Sequence, residues 1–280
     1  MFTLNGRGRL RAGESPLVMS VINSTPDSFY GGSRYNGEKE LLVRAEKMLQ
    51  DGADILDIGG QSTRPGAEWV GEEEELRRII RPITLLKQHF PDVFLSVDTW
   101  YGRVAQEAVA AGASLINDVS GGQQDPAMLA TVGRLGVPYV CMHMKGTPAT
   151  MNKEAVYEDV TREVLDYFIA RTEDCRQAGI HDVILDPGMG FAKTHGHNLE
   201  LLHNLSVLRM LGRPILLGIS RKSTIYKLLG ITPEEALNGT TVLHTLGLLN
   251  GADILRVHDP KEARQAITLL EAYQNKKPRI

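Results

Sequence analysis

Gly52-Ala53-Asp54-Ile55-Leu56 recurs letter for letter as Gly251-Ala252-Asp253-Ile254-Leu255. In both copies a glycine stands where a helix would end, and glycine takes the left-handed conformation that stops one. The apolar residues after it open a strand. The first copy runs on to Asp57-Ile58-Gly59, the second to Arg256-Val257-His258. Short apolar runs of this kind recur eight times: Leu17–Asn23, Asp54–Gly59, Val93–Asp98, Ser114–Asp118, Pro138–His143, Asp182–Asp186, Pro214–Ser220 and Asp253–His258. Each is continuous rather than alternating, as expected of a parallel strand covered on both faces.

Between these runs the spacing is helical. Leu76, Ile79, Ile80, Ile83 and Leu86 fall on one face of one segment, with charges opposite. Gly112, Gly136, Gly179 and Gly212 repeat the helix-stopping glycine ahead of other runs. Eight strand–helix units in 280 residues predict a (β/α)8 TIM barrel, a fold of about 250 residues. An open doubly wound sheet would want a Gly-x-Gly-x-x-Gly turn after its first strand, and Asn23-Ser24-Thr25-Pro26-Asp27 is not one. Before the first strand, Asn5-Gly6 reads as the turn of a short N-terminal β-hairpin closing the barrel bottom. No linker divides the chain, so residues 1–280 read as one domain.

Composition narrows the functional classes. A formal net charge of −3 leaves no basic excess for a nucleic-acid partner. Two cysteines, Cys141 and Cys175, are too few for a disulfide framework. No apolar run reaches the ~20 residues of a spanning helix, and the first residues lack the apolar stretch of a signal peptide. A cytoplasmic protein with no membrane partner is expected.

In a barrel of this kind chemistry sits where the strands end. Those ends carry Asn23, Arg64, Asp98, Asn117, Met142, Asp186, Ser220-Arg221-Lys222-Ser223 and Arg256-Val257-His258. Asp98, Asn117 and Asp186 suit a flat heterocycle with several N–H donors and a carbonyl, since every buried polar edge must be matched. Any one of them alone reads equally well as a helix cap or a partner in an ion pair. Arg64, Arg221, Lys222, Arg256 and His258 form an opposite set, cations beside helix starts, suited to a phosphate or diphosphate. The amide of Asn23 can serve Mg2+, which takes few protein ligands when phosphates complete its shell. Glu72 to Glu75 read as the solvated first turn of a helix. His195-Gly196-His197 reads as a loop rather than a metal site.

Six motifs resemble the dihydropteroate synthases: Asn23-Ser-Thr-Pro-Asp-Ser-Phe29, Gly59-Gly-Gln-Ser-Thr-Arg-Pro-Gly66, Ser96-Val-Asp-Thr99, Asp186-Pro-Gly-Met-Gly-Phe191, Ser220-Arg-Lys-Ser223 and Arg256-Val-His-Asp259. They stand in the family's order from the first strand to the last. The resemblance implies condensation of 6-hydroxymethyl-7,8-dihydropterin diphosphate with p-aminobenzoate, Mg2+, a homodimer and competition by sulfonamides. It implies a pterin set of Asp98, Asn117, Met142, Asp186, Phe191, Gly218 and Lys222, of which Asp98 and Lys222, with Arg256, carry the catalysis. It implies a diphosphate and metal set of Asn23, Arg64, Arg256 and His258, and a p-aminobenzoate set of Phe29, Thr63, Pro65 and Ser223. Ser20, Ser24 and Gln61 depart from the residues common in the family. Two other enzymes share part of the pattern: a methyltetrahydrofolate:corrinoid methyltransferase barrel and a Schiff-base aldolase using Lys222. A non-catalytic pterin-binding barrel is the third alternative. Arg256→Ala is expected to cost turnover far more than stability.

Overall fold

The computed structural model describes residues 2–6, 9–12, 15–23, 34–61, 70–147, 150–151 and 153–275. Two short strands, β1 (Thr3–Gly6) and β2 (Arg9–Ala12), form an antiparallel hairpin. Eight parallel strands follow: β3 (Leu17–Asn23), β4 (Ile55–Gly59), β5 (Phe94–Asp98), β6 (Leu115–Asp118), β7 (Tyr139–Met142), β8 (Val183–Asp186), β9 (Leu216–Leu217) and β10 (Ile254–Val257). They pair in the order β8-β7-β6-β5-β4-β3-β10-β9. A parallel bridge between Leu185 and Ile215, with the Leu185 N–H donating to Pro214 O at 2.9 Å, joins the two ends. The predicted barrel is present.

The helices are α1 (Arg34–Gln50), α2 (Glu72–His89), α3 (Gly102–Ala111), α4 (Met128–Leu135), α5 (Val160–Gln177), α6 (His195–His203), α7 (Ser223–Leu229), α8 (Leu237–Leu249) and α9 (Pro260–Gln274). They pack over the outward faces of the strands. On α2 the predicted stripe is buried at Ile79, Ile83 and Leu86, with Leu76 and Ile80 half-buried beside it. Glu75 departs from the solvated first turn expected for Glu72 to Glu75. It is buried, and burial pushes its carboxyl up to about 8.

The repeated pentapeptide builds the same joint twice. Gly52 has φ +98° and Gly251 φ +101°, a region that suits glycine. At the first joint Asp54 Oδ2 accepts the Val18 N–H at 2.8 Å, and Arg264 reaches the Gly52 carbonyl and Asp54. At the second, Asp253 Oδ2 accepts the Ile215 N–H at 3.0 Å, and Arg209 reaches the Gly251 carbonyl at 3.0 Å. Each aspartate thus ties its own strand to the neighbouring one at the barrel's lower rim.

Side chains alternate along a strand, so the barrel interior is a stack of layers. The lowest is apolar: Leu17, Met19, Ile55, Phe94, Leu115, Val140, Ile184, Leu216 and Ile254, all buried. Leu4 of the hairpin, only 1% exposed, joins that layer. The Asn5 N–H donates to Asp182 Oδ2 at 2.8 Å. The hairpin therefore closes the bottom as expected, but not by the expected turn. Asn5 and Gly6 pair with Leu10 and Arg9 as strand residues, and Gly6 lies where a Cβ would sit 2.7 Å from Ser114 O. Its lack of a side chain serves the packing, not a turn.

Candidate active site

Two residues further along the same strands the inward positions turn polar: Asp57 after Ile55, Ser96 after Phe94, Asn117 after Leu115, Asp186 after Ile184 and Arg256 after Ile254. Asp98, one more step up β5, lies level with Asn117. Arg256 ties the layer together. Its Nε and Nη2 both meet Asp57 Oδ2 at 2.7 Å, and Nη2 also meets Asp98 Oδ2 at 2.8 Å. Asn117 Nδ2 donates to the same Asp57 oxygen at 3.2 Å. Asp57 was not among the residues singled out from sequence. It sits inside an apolar run rather than at its end, and the available signal was its period-two spacing from Ile55.

The layer is buried and its charges do not cancel. Burial pushes Asp98 up to about 7, outweighing the neighbouring Arg256 guanidinium, with Asp57 adding to the rise. Burial also raises Asp186, against the pull of Lys222. Lys222 is pushed down to about 8 by burial, with Asp186 opposing. Burial works against the charge of Arg256, yet Asp57 and Asp98 outweigh it and hold the guanidinium above its ordinary value. Two buried oxygens of the layer, Asp57 Oδ1 and Ser96 Oγ, have no hydrogen-bond partner among the described residues. A buried polar atom left open in a barrel mouth points to a ligand that supplies the missing donor or acceptor.

One wall is built by the loop after β8. Asp186 Oδ1 accepts the Gly188 N–H at 2.8 Å, which curls the loop back over the barrel. Lys222 Nζ donates to the Met189 carbonyl and lies 4.6 Å from the Phe191 ring centroid. Phe191 packs with Met142, Met144 and Trp100 in a separate buried cluster. A Cβ on Gly218 would come within 3.8 Å of Asp186 Oδ2 and 3.9 Å of Lys222 Nζ. The bare glycine keeps that floor open. Asp98, Asn117, Met142, Asp186, Phe191, Gly218 and Lys222 are thus brought to one end of the barrel.

The remaining expectations divide. Asn23 lies opposite Gly59 at the mouth by its backbone, but its side chain, with Phe29, Thr63, Arg64 and Pro65, lies outside the described residues. His258 is exposed at the rim, its Nδ1 3.0 Å from Ser220 Oγ. Ser223 opens α7. Arg221 does not join the cations of the mouth. With φ +52° its backbone turns the side chain away, and Asp259 holds its guanidinium through bonds of 2.7 and 2.9 Å. His197 belongs to the capping of α6, where Thr194 accepts its N–H at 3.1 Å. Gln61 accepts the Val70 N–H at 2.8 Å. Among the described residues, no three His, Cys, Asp or Glu side chains are grouped to hold a metal ion.

Comparison with known proteins identifies this geometry. The sequence pattern of the pterin binding enzymes matches residues 19–258. The dihydropteroate synthase of Bacillus subtilis is 42% identical over 265 residues, 94% of this chain and 90% of that one. That of Escherichia coli K12 is 42% identical over 259 residues, covering 92% and 91%. The Yersinia pestis dihydropteroate synthase, solved with a sulfonamide drug complex, superposes with a TM-score of 0.91 at 40% identity, over 98% of this chain and 100% of that chain. The Xanthomonas albilineans enzyme, solved with 7,8-dihydropteroate, gives 0.87 at 38% identity, over 99% and 100%. With the barrel, the polar mouth and the motifs all in agreement, the chain belongs to the pterin-binding enzyme family, among its dihydropteroate synthases.

Proposed function

We propose that the buried layer of Asp57, Asp98, Asn117, Asp186 and Arg256, with Lys222 beside it, is where this chain holds the pterin of 6-hydroxymethyl-7,8-dihydropterin diphosphate for condensation with p-aminobenzoate. The observation that carries this reading is the layer itself. Three carboxylates and one amide gathered in a closed apolar barrel have no structural task that an apolar layer would not perform better. A pterin edge presents N–H donors and a carbonyl in one plane. Asp186 is the natural acceptor for the donors, and Asn117 and Lys222 supply the opposite character for the carbonyl and ring nitrogen. Phe191 and Met142 cover the ring faces.

The chemistry follows from where charge develops. Breaking the bond between the pterin methylene carbon and the diphosphate oxygen leaves positive charge on the pterin and negative charge on the leaving group. Asp98 stands beside the first. Its raised pKa lets it hold a proton in the free site, and a developing cation nearby favours the carboxylate. Arg256 and His258 stand on the side of the second, and Arg64 is assigned to it by family resemblance. The p-aminobenzoate nitrogen then bonds to the methylene carbon and loses a proton. Fixed charges aimed at charge that appears only in the transition state are the main catalytic resource, with a single donor worth about 3–4 kcal/mol. Phe29, Thr63, Pro65 and Ser223 are assigned to p-aminobenzoate, and with it to sulfonamides.

Mg2+ fits only as a companion of the diphosphate. Among the described residues no all-protein cage of His, Cys, Asp or Glu is present, and the single amide assigned from sequence, Asn23, suits an ion whose shell is completed by phosphate and water. Such an ion would supply positive charge against the leaving group. Residues 1–280 serve as one pterin-binding domain in the cytoplasm; among the described residues no helix is long and apolar enough to cross a membrane. The homodimer is assigned to α7, α8 and α9, which expose Leu228, Leu229, Val242, Leu246, Leu249, Leu269 and Tyr273. Of the neighbours on the last helix, Ile267 and Leu270 are buried inside the chain, which leaves Leu269 and Tyr273 available for contact.

Pyrophosphate release from the pterin diphosphate, with Mg2+ and with or without p-aminobenzoate, tests the assignment. Fast release with dihydropteroate formed when both substrates are present is the expected result. Tight pterin binding without any release would leave only a binding barrel.

A further inference from the structure

Lys193 lies two residues past Phe191, where the motif of the loop after β8 ends. Its side chain is 9% exposed. The ammonium donates to the Gly188 and Phe191 carbonyls, both at 3.1 Å, and meets His143 Nδ1 at 2.9 Å. The first two acceptors belong to the loop after β8 and the third to the segment after β7. The His143 imidazole is pushed down to about 2 by burial and by Lys193. It is therefore neutral, and burial also pushes Lys193 down to about 7.

The loop so held is an unfavourable one to leave alone. Gly188 has φ +67° and Gly190 φ +80°, and Ala192, which is not glycine, has φ +49°. A Cβ on Gly188 would lie 2.0 Å from the His143 carbonyl oxygen, so the two segments touch backbone to backbone. Strained turns of this kind persist where the surroundings over-determine them. Asp186 and Asn198 accept the Gly188 and Gly190 N–H groups, and Lys193 adds a three-way clasp from inside the loop. The outer side of the same loop carries the Met189 carbonyl that receives Lys222 and the Phe191 ring beneath it.

We propose that Lys193 is a positioning residue for the pterin pocket: by clasping Gly188, Phe191 and His143 it sets the loop that aims Lys222 and the Phe191 ring. The proposal rests on the placement of Lys222 and Phe191 against the pterin, and on nothing bound at Lys193 itself. Methionine in its place keeps the stem's volume but takes the donor from the Phe191 carbonyl and the contact from His143 Nδ1, and leaves the Gly188 carbonyl only the Phe191 N–H, so the loop relaxes and the Lys222 ammonium loses its fixed acceptor.

The test is a binding and kinetic cycle over Lys193→Met, Lys222→Met and the double variant. It uses 6-hydroxymethylpterin as the titrated ligand and p-aminobenzoate KM as the control. Lys193→Met is expected to weaken pterin binding roughly tenfold and to leave the p-aminobenzoate KM within about twofold. In the Lys222→Met background the same change should add less than about twofold, because a residue acting through another shows its effect only while that other is present. Wild-type pterin affinity in Lys193→Met, or an undiminished effect in the double variant, overturns the proposal. A merely structural lysine would lower the unfolding temperature and leave pterin affinity per folded molecule unchanged. If Lys193→Met does not fold, His143→Leu removes one acceptor and keeps two, and the same pattern is expected at smaller size. Failure of the underlying pterin assignment shows separately, as unchanged pterin affinity in Lys222→Met alone.

Discussion

The bottom and the top of this barrel are made by the same strands two residues apart, and they obey opposite rules. At the bottom, Ile55, Phe94, Leu115, Ile184 and Ile254 fill the interior and Leu4 stops it. At the top, Asp57, Ser96, Asn117, Asp186 and Arg256 occupy the equivalent inward positions and leave polar atoms open. The lower layer gains by excluding water and needs no partner from outside. The upper layer spends that gain: desolvation raises Asp98 and Asp186 and lowers Lys222. What distinguishes the layers is whether the free chain satisfies its own groups.

Arg256→Ala should break the upper layer most severely. Removing the guanidinium leaves Asp57 and Asp98 facing each other without a cation, so stability falls by about 3–5 kcal/mol, and turnover falls by a factor on the order of 10²–10³ besides. The sequence alone implied a loss far larger in turnover than in stability; the ion pairs with Asp57 and Asp98 predict a substantial loss in folding as well. Denaturant unfolding alongside steady-state kinetics measures both, and pairing Arg256→Ala with Asp57→Asn should recover part of the stability and none of the turnover. Recovery of turnover would show that Arg256 serves only to neutralise Asp57.

Phe94→Ala, two residues below Ser96, should show the reverse. A cavity in the apolar layer costs about 3–5 kcal/mol, while kcat of the molecules that remain folded stays at the wild-type value. Loss of kcat without loss of stability would mean the two layers are not separable.

That separation also explains what could be read in advance. Strand positions were legible because each apolar run is bounded by polar residues, and β3 matches its expected limits throughout. The ring of strand-end residues was legible because fold class alone says which end matters. Asp57 was not, since the upper layer begins inside the apolar run, where alternation rather than the strand's end decides what faces in. The direction of Arg221 was equally hidden: sequence shows a cation after a strand, whereas φ +52° and Asp259 turn it away from the mouth. Lys193 and His143 are distant in the chain, and only the closed fold sets them 2.9 Å apart. The motifs around Phe29 and Thr63-Arg64-Pro65 carry their meaning through family resemblance alone.

A smaller effect distinguishes the layers by pH. Folded Asp98 keeps a proton up to about 7, whereas an unfolded aspartate releases it near ~3.9. Between those limits the folded state binds more protons, so this group's contribution to stability is fully present below the lower limit and lost as pH rises through the upper one. Relative to Asp98→Asn, the wild type should therefore lose on the order of 2–3 kcal/mol of stability from about pH 5 to about pH 8. Urea unfolding at both values reads it directly; parallel curves would place the Asp98 proton elsewhere.

The claim on which the account turns is that the upper layer reads the edge of a pterin. Calorimetric titration of 6-hydroxymethylpterin into wild type and Asp186→Asn, without p-aminobenzoate, tests it most directly. The account predicts an affinity lower by about a hundredfold, equivalent to about 2.7 kcal/mol, with an unfolding temperature unchanged or higher because a buried charge has been removed. Equal affinity in the two proteins would contradict it.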